Sequence, residues 1–231
     1  MTMDDIIRWT NDNSGFVSVV IFGLTLLIAW TSGLFNELRK RPRFKIEIVK
    51  QCTFATIFDL KKEFNGLQVT KTAIVIYFDI TNIGNAPSSI GDIRVGYKKF
   101  DLGLRLFTRR NWIGEKIAKE DFRVGFENSE HAKVYPFLKQ RNNSYPNQND
   151  TFLEIGKIQN GIVYFEQEDS YGNWMPRINK DGKTINLKVE IKDAFGGFHY
   201  KTVDIDSVDS GHAFRFNPLF GQTEYLFPKE S

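Results

Sequence analysis

An uncharged stretch near the start of the chain limits its possible structures more than any other feature. No charged side chain occurs between Asn13 and Asn36, and the most apolar part, Gly15–Phe35, has 21 residues. A helix of that length rises about 30 Å, which matches the hydrocarbon core of a bilayer, and it satisfies its own backbone hydrogen bonds. Trp9 and Trp30 fall near its ends, where indole rings favour the membrane interface. The sequence therefore predicts one transmembrane helix over residues 15–35.

Two other interpretations of the apolar stretch fit less well. A cleavable signal peptide begins with a basic segment, but here three acidic side chains outnumber Arg8 before the run. The run is also longer than the apolar part of a signal peptide, and Thr31–Gly33 is a weak cleavage site. A buried core helix of a soluble protein would be unusual without a single charge over this length.

The charges on either side of the predicted span indicate its orientation. Residues 37–45 contain one acidic side chain, Glu37, and five basic ones: Arg39, Lys40, Arg41, Arg43 and Lys45. Basic residues stay on the cytoplasmic side of a membrane, so we expect the N-terminus outside and residues 37–231 in the cytoplasm at the plasma (inner) membrane. The same five side chains are predicted to lie at the membrane interface, where they attract anionic lipid headgroups. Of the two explanations, a plain topology signal is favoured over specific recognition of lipid.

Small residues recur every fourth position within the span, at Thr25, Ala29 and Gly33. Small side chains at this spacing let two membrane helices approach closely. They predict a helix–helix contact, and with it a possible homo-oligomer.

The remainder of the chain shows the two-residue period of β-strands. In the stretch Ile185–Ile191 every second side chain is aliphatic and the others are polar, which predicts a strand with one wet face. The stretch Ile74–Ile80 is apolar on both faces, so we expect a central strand. Short strands separated by turn residues favour a mainly β fold, an antiparallel β-sandwich. The predicted organisation is a tail at 1–14, a helix at 15–35, a basic linker at 36–45 and a sandwich at 46–231 with an insertion at 100–150.

Four segments carry more local predictions. We expect one or two helical turns over Asp59–Asn65, ended by Gly66, and a short helix over Gly114–Val124. The polar segment Lys139–Asp150 should be an exposed loop. The apolar C-terminal segment Phe214–Phe227 must be covered, either by its own domain or by a partner.

Two further stretches resemble a known group of domains. The first is Ile74–Ile93, an apolar strand that leads into the turn TNIGNAP, and the second is Leu153–Phe165, LEIGKIQNGIVYF. Together they resemble the bacterial Ig-like β-sandwich domains of secreted antigens and membrane-anchored uncharacterised proteins. The resemblance implies a sandwich in which both stretches contribute core strands, and it implies no catalytic residues.

The residue types that perform chemistry are scarce and scattered. The one cysteine, Cys52, is predicted to be a small buried side chain, and three histidines leave little for a metal centre, so we expect neither metal nor cofactor. His199 with Asp193, and His131 with Glu130, are the only acid–base pairs that the sequence suggests, and no nucleophile motif accompanies them. We therefore predict that the chain is not an enzyme.

Two charged motifs have ordinary explanations as well as functional ones. Asp204, Asp206 and Asp209 are spaced like part of a calcium loop, but Arg215 occupies the position where such a loop needs a glutamate. The basic and aromatic segment from Lys98 to Trp112 could stack on single-stranded nucleic acid. However, 31 basic residues are nearly balanced by 28 acidic ones, so nucleic acid is not the expected partner.

These patterns predict a single-pass membrane protein whose soluble domain binds or scaffolds a partner at the cytoplasmic face, with the lipid bilayer and a protein as its partners. The alternative is a membrane-acting stress or phage-defence effector. In that case the soluble domain would control oligomerisation of the transmembrane helix.

Overall fold

Two consecutive helices open the chain in this computed structural model, which describes residues 2–34, 40–99, 110–125, 131–140 and 150–222. Helix α1 spans Met3–Asp12 and helix α2 spans Ser14–Thr31. No residue of α2 is buried, and the helix is long and apolar enough to cross a membrane by length and composition. A signal sequence can meet the same criterion. The helix ends four residues earlier than predicted, because the backbone leaves right-handed helical geometry at Gly33, where φ is 79°.

Helix α1 occupies the segment that was expected to be a tail. The Thr2 hydroxyl accepts a hydrogen bond from the backbone N–H of Asp5, and the Asp5 carboxylate accepts one from the N–H of Thr2. This reciprocal arrangement is a capping box, which satisfies donors that the first turn of a helix otherwise leaves free. The Thr-x-x-Asp spacing was visible in the sequence and would have predicted the helix.

The chain forms two compact units, Met1–Arg41 and Pro42–Ser231. The second unit contains, in its described part, ten strands and helix α3 at Ser210–Phe216. The strands are β1 Phe44–Phe64, β2 Leu67–Asn82, β3 Ser88–Lys98, β4 Arg110–Lys116, β5 Phe122–Gly125, β6 Ala132–Tyr135, β7 Phe152–Leu153, β8 Ile158–Tyr171, β9 Thr184–Asp193 and β10 Phe198–Ser207.

Seven of these strands close into a barrel, so the predicted Ig-like antiparallel β-sandwich is wrong. Their order is β4-β8-β2-β1-β10-β9-β3, and β3 pairs back to β4 to complete the ring. Strand β4 makes the closure, because Gly114 pairs with Arg94 of β3 and Glu115 pairs with Phe165 of β8. The neighbours are antiparallel except β1 and β10, which pair in parallel at Phe54 and Asp206.

The error has an identifiable cause in the segment that contains β4. Residues 100–150 were treated as an insertion, and Gly114–Val124 was predicted to be a helix, whereas Arg110–Lys116 is a strand and Phe122–Gly125 is another. Without the closing strand, the remaining strands fit two open sheets. Side chains alternate between inside and outside in both sandwiches and barrels, so periodicity identifies strands but does not distinguish the two architectures.

The barrel core consists of side chains from alternate positions of its strands. The predicted inward face of β9 is confirmed, since its four aliphatic side chains are fully buried: Ile185, Leu187, Val189 and Ile191. Val163 and Phe165 of β8 share the same interior. Side chains can fill the inside of a barrel of about eight strands or fewer, and here apolar residues do so.

A second apolar cluster lies on the outside of β1, β2 and β8, and we call it the outer cluster. Val75 and Tyr164 point into it, and it is covered by the β5–β6 hairpin, by Ala213 of α3 and by Phe220. The strand Ile74–Ile80 is therefore apolar on both faces, as predicted, because both faces are covered. Of the two coverings expected for the C-terminal segment, its own domain buries Phe220 and part of Phe216, whereas Phe214 stays exposed and residues 223–227 lie outside the described residues.

Two other local predictions have different outcomes. The helical turns expected over Asp59–Asn65 are wrong, because β1 continues through this segment and Asn65 and Gly66 form a tight hairpin turn with positive φ angles of 53° and 74°. Asn-Gly favours this turn because both residues tolerate the left-handed region, and that preference outweighs local helix formation. Most of the predicted loop Lys139–Asp150 lies outside the described residues.

Candidate functional site

Aromatic and charged side chains form a continuous patch on the outside of β3, β4, β9 and β10. Strand register places them side by side, since Glu190 lies between Arg94 and Tyr200, and Gly96 lies between Lys188 and Trp112. We call this patch the aromatic face, and it consists of Arg94, Trp112, Lys188, Glu190, Phe198 and Tyr200.

Cation–π and ring contacts fix the side chains of the aromatic face. The guanidinium carbon of Arg94 lies 5.4 Å from the centre of the Trp112 ring, and the Lys188 ammonium lies 4.1 Å from that of Tyr200. The rings of Phe198 and Tyr200 stack with centres 6.4 Å apart. Contacts of this kind hold planar groups at the surface, so little freedom remains to be lost when a partner binds.

A buried carboxylate organises the middle of the aromatic face. Glu190 is buried and forms an ion pair with the half-exposed Arg94. Partial loss of solvation, and secondly the neighbouring Glu190 carboxylate, raise the pKa of Tyr200 above its ordinary value. The face therefore offers a tryptophan, a tyrosine and an arginine, which are the side chains most enriched at the energetic centres of protein interfaces.

The position of Trp112 depends on a neighbouring glycine. A Cβ atom added at Gly96 would come within 2.9 Å of the indole ring. The missing side chain of Gly96 therefore lets the ring of Trp112 lie against the backbone of β3. Trp112 had been identified only as part of a basic segment, and the register of β4, which was not predicted, was needed to place it on this face.

The five basic residues predicted at the membrane interface fall on both sides of the unit boundary. Arg39 lies outside the described residues, Lys40 and Arg41 end the first unit, and Arg43 and Lys45 begin the second. The backbone of Arg43 is held by the barrel, since its N–H donates to Asn82 Oδ1 and its carbonyl accepts from Ile83. Lys45 forms an exposed ion pair of 2.6 Å with Glu47.

The three small residues of the predicted helix contact do not all lie within α2. The Thr25 hydroxyl donates to the carbonyl of Ile21 one turn earlier, and Ala29 lies on the next turn. Gly33 lies beyond the last residue of the helix, with a φ of 79°. A helix contact through Thr25, Ala29 and Gly33 stays a prediction.

His199 and Asp193 contact each other, but their hydrogen bonds hold parts of the fold together. His199 Nδ1 accepts from the backbone N–H of Phe44 at 3.2 Å, so Nε2 carries the proton that it donates to Asp193 at 2.9 Å. Both ring nitrogens are therefore occupied, and the pair ties the start of β1 to the β9–β10 turn. Glu130, the predicted partner of His131, lies outside the described residues.

The aspartates of the calcium-like motif serve separate local purposes. Asp204 accepts hydrogen bonds from Asn179 and Asn186, and Asp209 caps α3 by accepting from the N–H of His212. Within residues 2–34, 40–99, 110–125, 131–140 and 150–222, no three His, Cys, Asp or Glu side chains are grouped to hold a metal ion.

A buried polar network that the sequence analysis missed lies at the edge of the outer cluster. Lys71 Nζ donates to Glu166 at 2.7 Å and to the carbonyl of Gly221 at 2.9 Å. The Tyr164 hydroxyl donates to Glu166 at 2.6 Å and accepts from the N–H of Gly221 at 2.8 Å. Burial and the Glu166 carboxylate raise the pKa of Tyr164. The network fastens the chain after α3 to the barrel, and the clue was Glu166, which directly follows the apolar run Ile162–Phe165 within β8.

A cavity of about 220 Å³ lies between β4, β8 and the segment that follows β6. Its lining includes Glu115 and Lys139, which form an ion pair, and Lys139 also donates to the carbonyl of Gly91. These two charges are engaged with each other and with the barrel, whereas the buried amide nitrogen of Gln140, which also lines the cavity, has no hydrogen-bond partner among the described residues.

Cys52 is buried, as predicted, and lies beside Tyr135; burial raises the pKa of its thiol to about 11. Because only the thiolate reacts with alkylating reagents, we expect alkylation of the folded protein at pH 8 to be at least about 100-fold slower than after unfolding. The rate should rise tenfold with each pH unit up to about pH 11. Timed labelling with iodoacetamide, read by mass spectrometry, measures both, and rapid labelling of the folded chain at pH 8 would show that the thiol is accessible and ionised.

Comparisons with known proteins add no assignment to this geometry: no protein-family model matches the chain, and no curated protein matches its sequence significantly.

Proposed function

We propose that the chain is a single-pass membrane protein that holds a β-barrel binding or scaffolding domain at the cytoplasmic face of a bacterial plasma membrane. The observation that carries this proposal is α2, an uncharged helix of 18 residues without one buried residue. So much apolar surface is unstable in water and is stable in a hydrocarbon layer.

Flanking charge supports the cytoplasmic placement of the barrel. Five basic residues follow the apolar stretch within ten positions of Phe35, whereas aspartates predominate before it. Such an asymmetry keeps the basic flank on the cytoplasmic side.

A binding role, rather than a catalytic one, is supported by where the polar and aromatic groups lie. The barrel interior is apolar, while the aromatic face carries its charged and aromatic groups on the outer surface. Because tryptophan, tyrosine and arginine commonly anchor protein partners, the aromatic face is the surface that we propose a protein partner occupies.

Protease accessibility tests membrane insertion and orientation together. We expect protease to digest the barrel in inside-out vesicles of the plasma membrane. In spheroplasts, where only the external face of the plasma membrane is accessible, the barrel should stay intact. Digestion in spheroplasts would reverse the orientation. Release of the intact chain from washed membranes without detergent would refute the anchor.

Site-specific photo-crosslinking in intact cells tests the binding surface. A photoreactive residue in place of Tyr200 should give one discrete cross-linked protein, and the same residue in place of Phe64, which is equally exposed at the β1–β2 hairpin, should not. The adduct at position 200 should disappear when Trp112 is changed to serine. An adduct that is unaffected by Trp112→Ser, or equal labelling at both positions, would contradict the assignment of this face.

A further inference from the structure

One end of the barrel gathers exposed apolar side chains from three separate loops. Strand β1 begins at this end, where Phe44 pairs with Asn82 at the end of β2 and Thr81 pairs with Ile158 at the start of β8. The β9–β10 turn lies at the same end, since His199 contacts Phe44. We call this end the entry rim, and its exposed apolar residues are Ile83, Phe152, Ile155, Ile158, Phe195 and Phe198.

The outermost residues of the entry rim are far more exposed than an ordinary apolar side chain. Phe195 is 74% exposed, Ile155 59%, Ile158 57% and Ile83 50%. Scattered apolar residues on a surface need no explanation, but a group on neighbouring loops marks a contact site for a protein or a membrane.

Buried polar groups hold the loops of the rim in these positions. Asn82 is fully buried and makes four side-chain hydrogen bonds: its amide nitrogen donates to Ala86 and Leu153, and its oxygen accepts from Arg43 and Gly84. It thereby joins the β2–β3 loop, the chain before β8 and the start of β1.

The turn that carries Phe195 is held in the same manner. Asp193 Oδ1 accepts from the backbone N–H groups of Phe195 and Gly197 at 2.8 and 2.9 Å. The protrusion of Phe195 is therefore a fixed feature of the turn.

Chain connectivity decides what this rim can meet. Residues 36–42 link the apolar stretch to Arg43, whose backbone is already part of the rim. Seven residues span at most about 25 Å even when fully extended. If the apolar stretch is in the membrane, this short tether holds the start of β1, which belongs to the entry rim, within that distance of the bilayer.

We propose that the entry rim docks on the bilayer, with Phe195 and the three isoleucines at the boundary between headgroups and acyl chains. This inference rests on the proposed membrane anchor. The basic residues that precede β1 provide the matching charge for anionic headgroups, whereas Lys45 within β1 is already paired with Glu47. On the loop before β8, Asp150 is paired with Lys157 at 2.9 Å, which leaves Glu154 as the acidic side chain that opposes such contact.

Depth-dependent quenching tests the proposal on the full-length chain. The protein is reconstituted into vesicles of phosphatidylcholine and phosphatidylglycerol, with an environment-sensitive fluorophore attached to Phe195→Cys or, as control, Phe64→Cys. Both positions are exposed phenylalanines, but Phe64 lies in the hairpin at the opposite end of β1. Cys52 is buried and should not compete for the label. A label on Ile155→Cys provides a second rim position on a different loop.

Docking predicts that spin-labelled lipids quench the fluorophore at positions 195 and 155 at least about threefold more than at position 64, because rim side chains would lie about 5–10 Å into the interface. Flotation of the same samples reports anchoring separately. Protein that floats with the vesicles but is quenched equally at all three positions overturns the docking and leaves the anchor intact. Protein that does not float overturns the anchor and the docking together.

Discussion

Phe165→Ala is expected to lower the free energy of unfolding of the barrel by about 3–5 kcal/mol, the range for removing a fully buried phenylalanine. Phe165 is completely buried in the barrel core, and its strand β8 pairs with both β2 and the closing strand β4. The cavity left behind cannot collapse easily, because every neighbouring strand is fixed on both sides by closure of the barrel.

Phe64→Ala is the matched control, since it removes the same atoms from a residue that is 49% exposed at the β1–β2 hairpin. Its effect should stay below about 1 kcal/mol. Urea unfolding of the full chain in a mild detergent, followed by near-UV circular dichroism, measures both variants. Equal losses for Phe165→Ala and Phe64→Ala would show that Phe165 is not in a closely packed core.

Lys71→Met is expected to destabilise the protein by about 3 kcal/mol, because removing one partner of a buried ion pair leaves the other charge unpaired. Glu166 is buried completely, while the side chain of Lys71 keeps some contact with solvent, so we expect the lower end of the usual range. The variant also removes the hydrogen bond from Lys71 to the carbonyl of Gly221 and should loosen the chain after α3.

The double variant Lys71→Met/Glu166→Gln should recover at least about 1 kcal/mol of that loss, because a neutral amide is easier to bury and its oxygen still accepts from Tyr164. Lys45→Met, which breaks the exposed pair with Glu47, should leave stability nearly unchanged. If the double variant is less stable than Lys71→Met alone, the unpaired Glu166 charge is not the source of the loss.

The sequence was sufficient for most strands of the barrel, but not for β4 and not for the arrangement of the strands. The alternation of aliphatic and polar residues in β9 predicted which side chains face inward. The apolar residues on both faces of β2 correctly indicated a strand that is covered on both sides. Closure depends on β4, a seven-residue strand of mixed polar and apolar residues that pairs with the preceding strand β3 and with the distant strand β8. The pairing of Glu115 with Phe165, 50 positions later, leaves no local pattern, so the sequence pattern alone did not indicate closure.

The candidate sites also differ in whether they depend on a local segment or on the arrangement of distant strands. The basic residues near the span could be identified from a short segment, because flanking charge is a local property. The aromatic face could not, since it combines side chains of four strands through their register. The entry rim required the topology as well, because its apolar residues come from loops more than 100 positions apart in sequence.

The central claim is that the apolar stretch stays in the mature chain and anchors the barrel to a membrane. Alkaline carbonate extraction of membranes that contain the full-length protein, combined with intact-mass measurement, tests it most directly. The account predicts that the chain remains in the membrane pellet with residues 15–35 still attached. Recovery in the supernatant, or a mature chain that begins after Phe35, would contradict it.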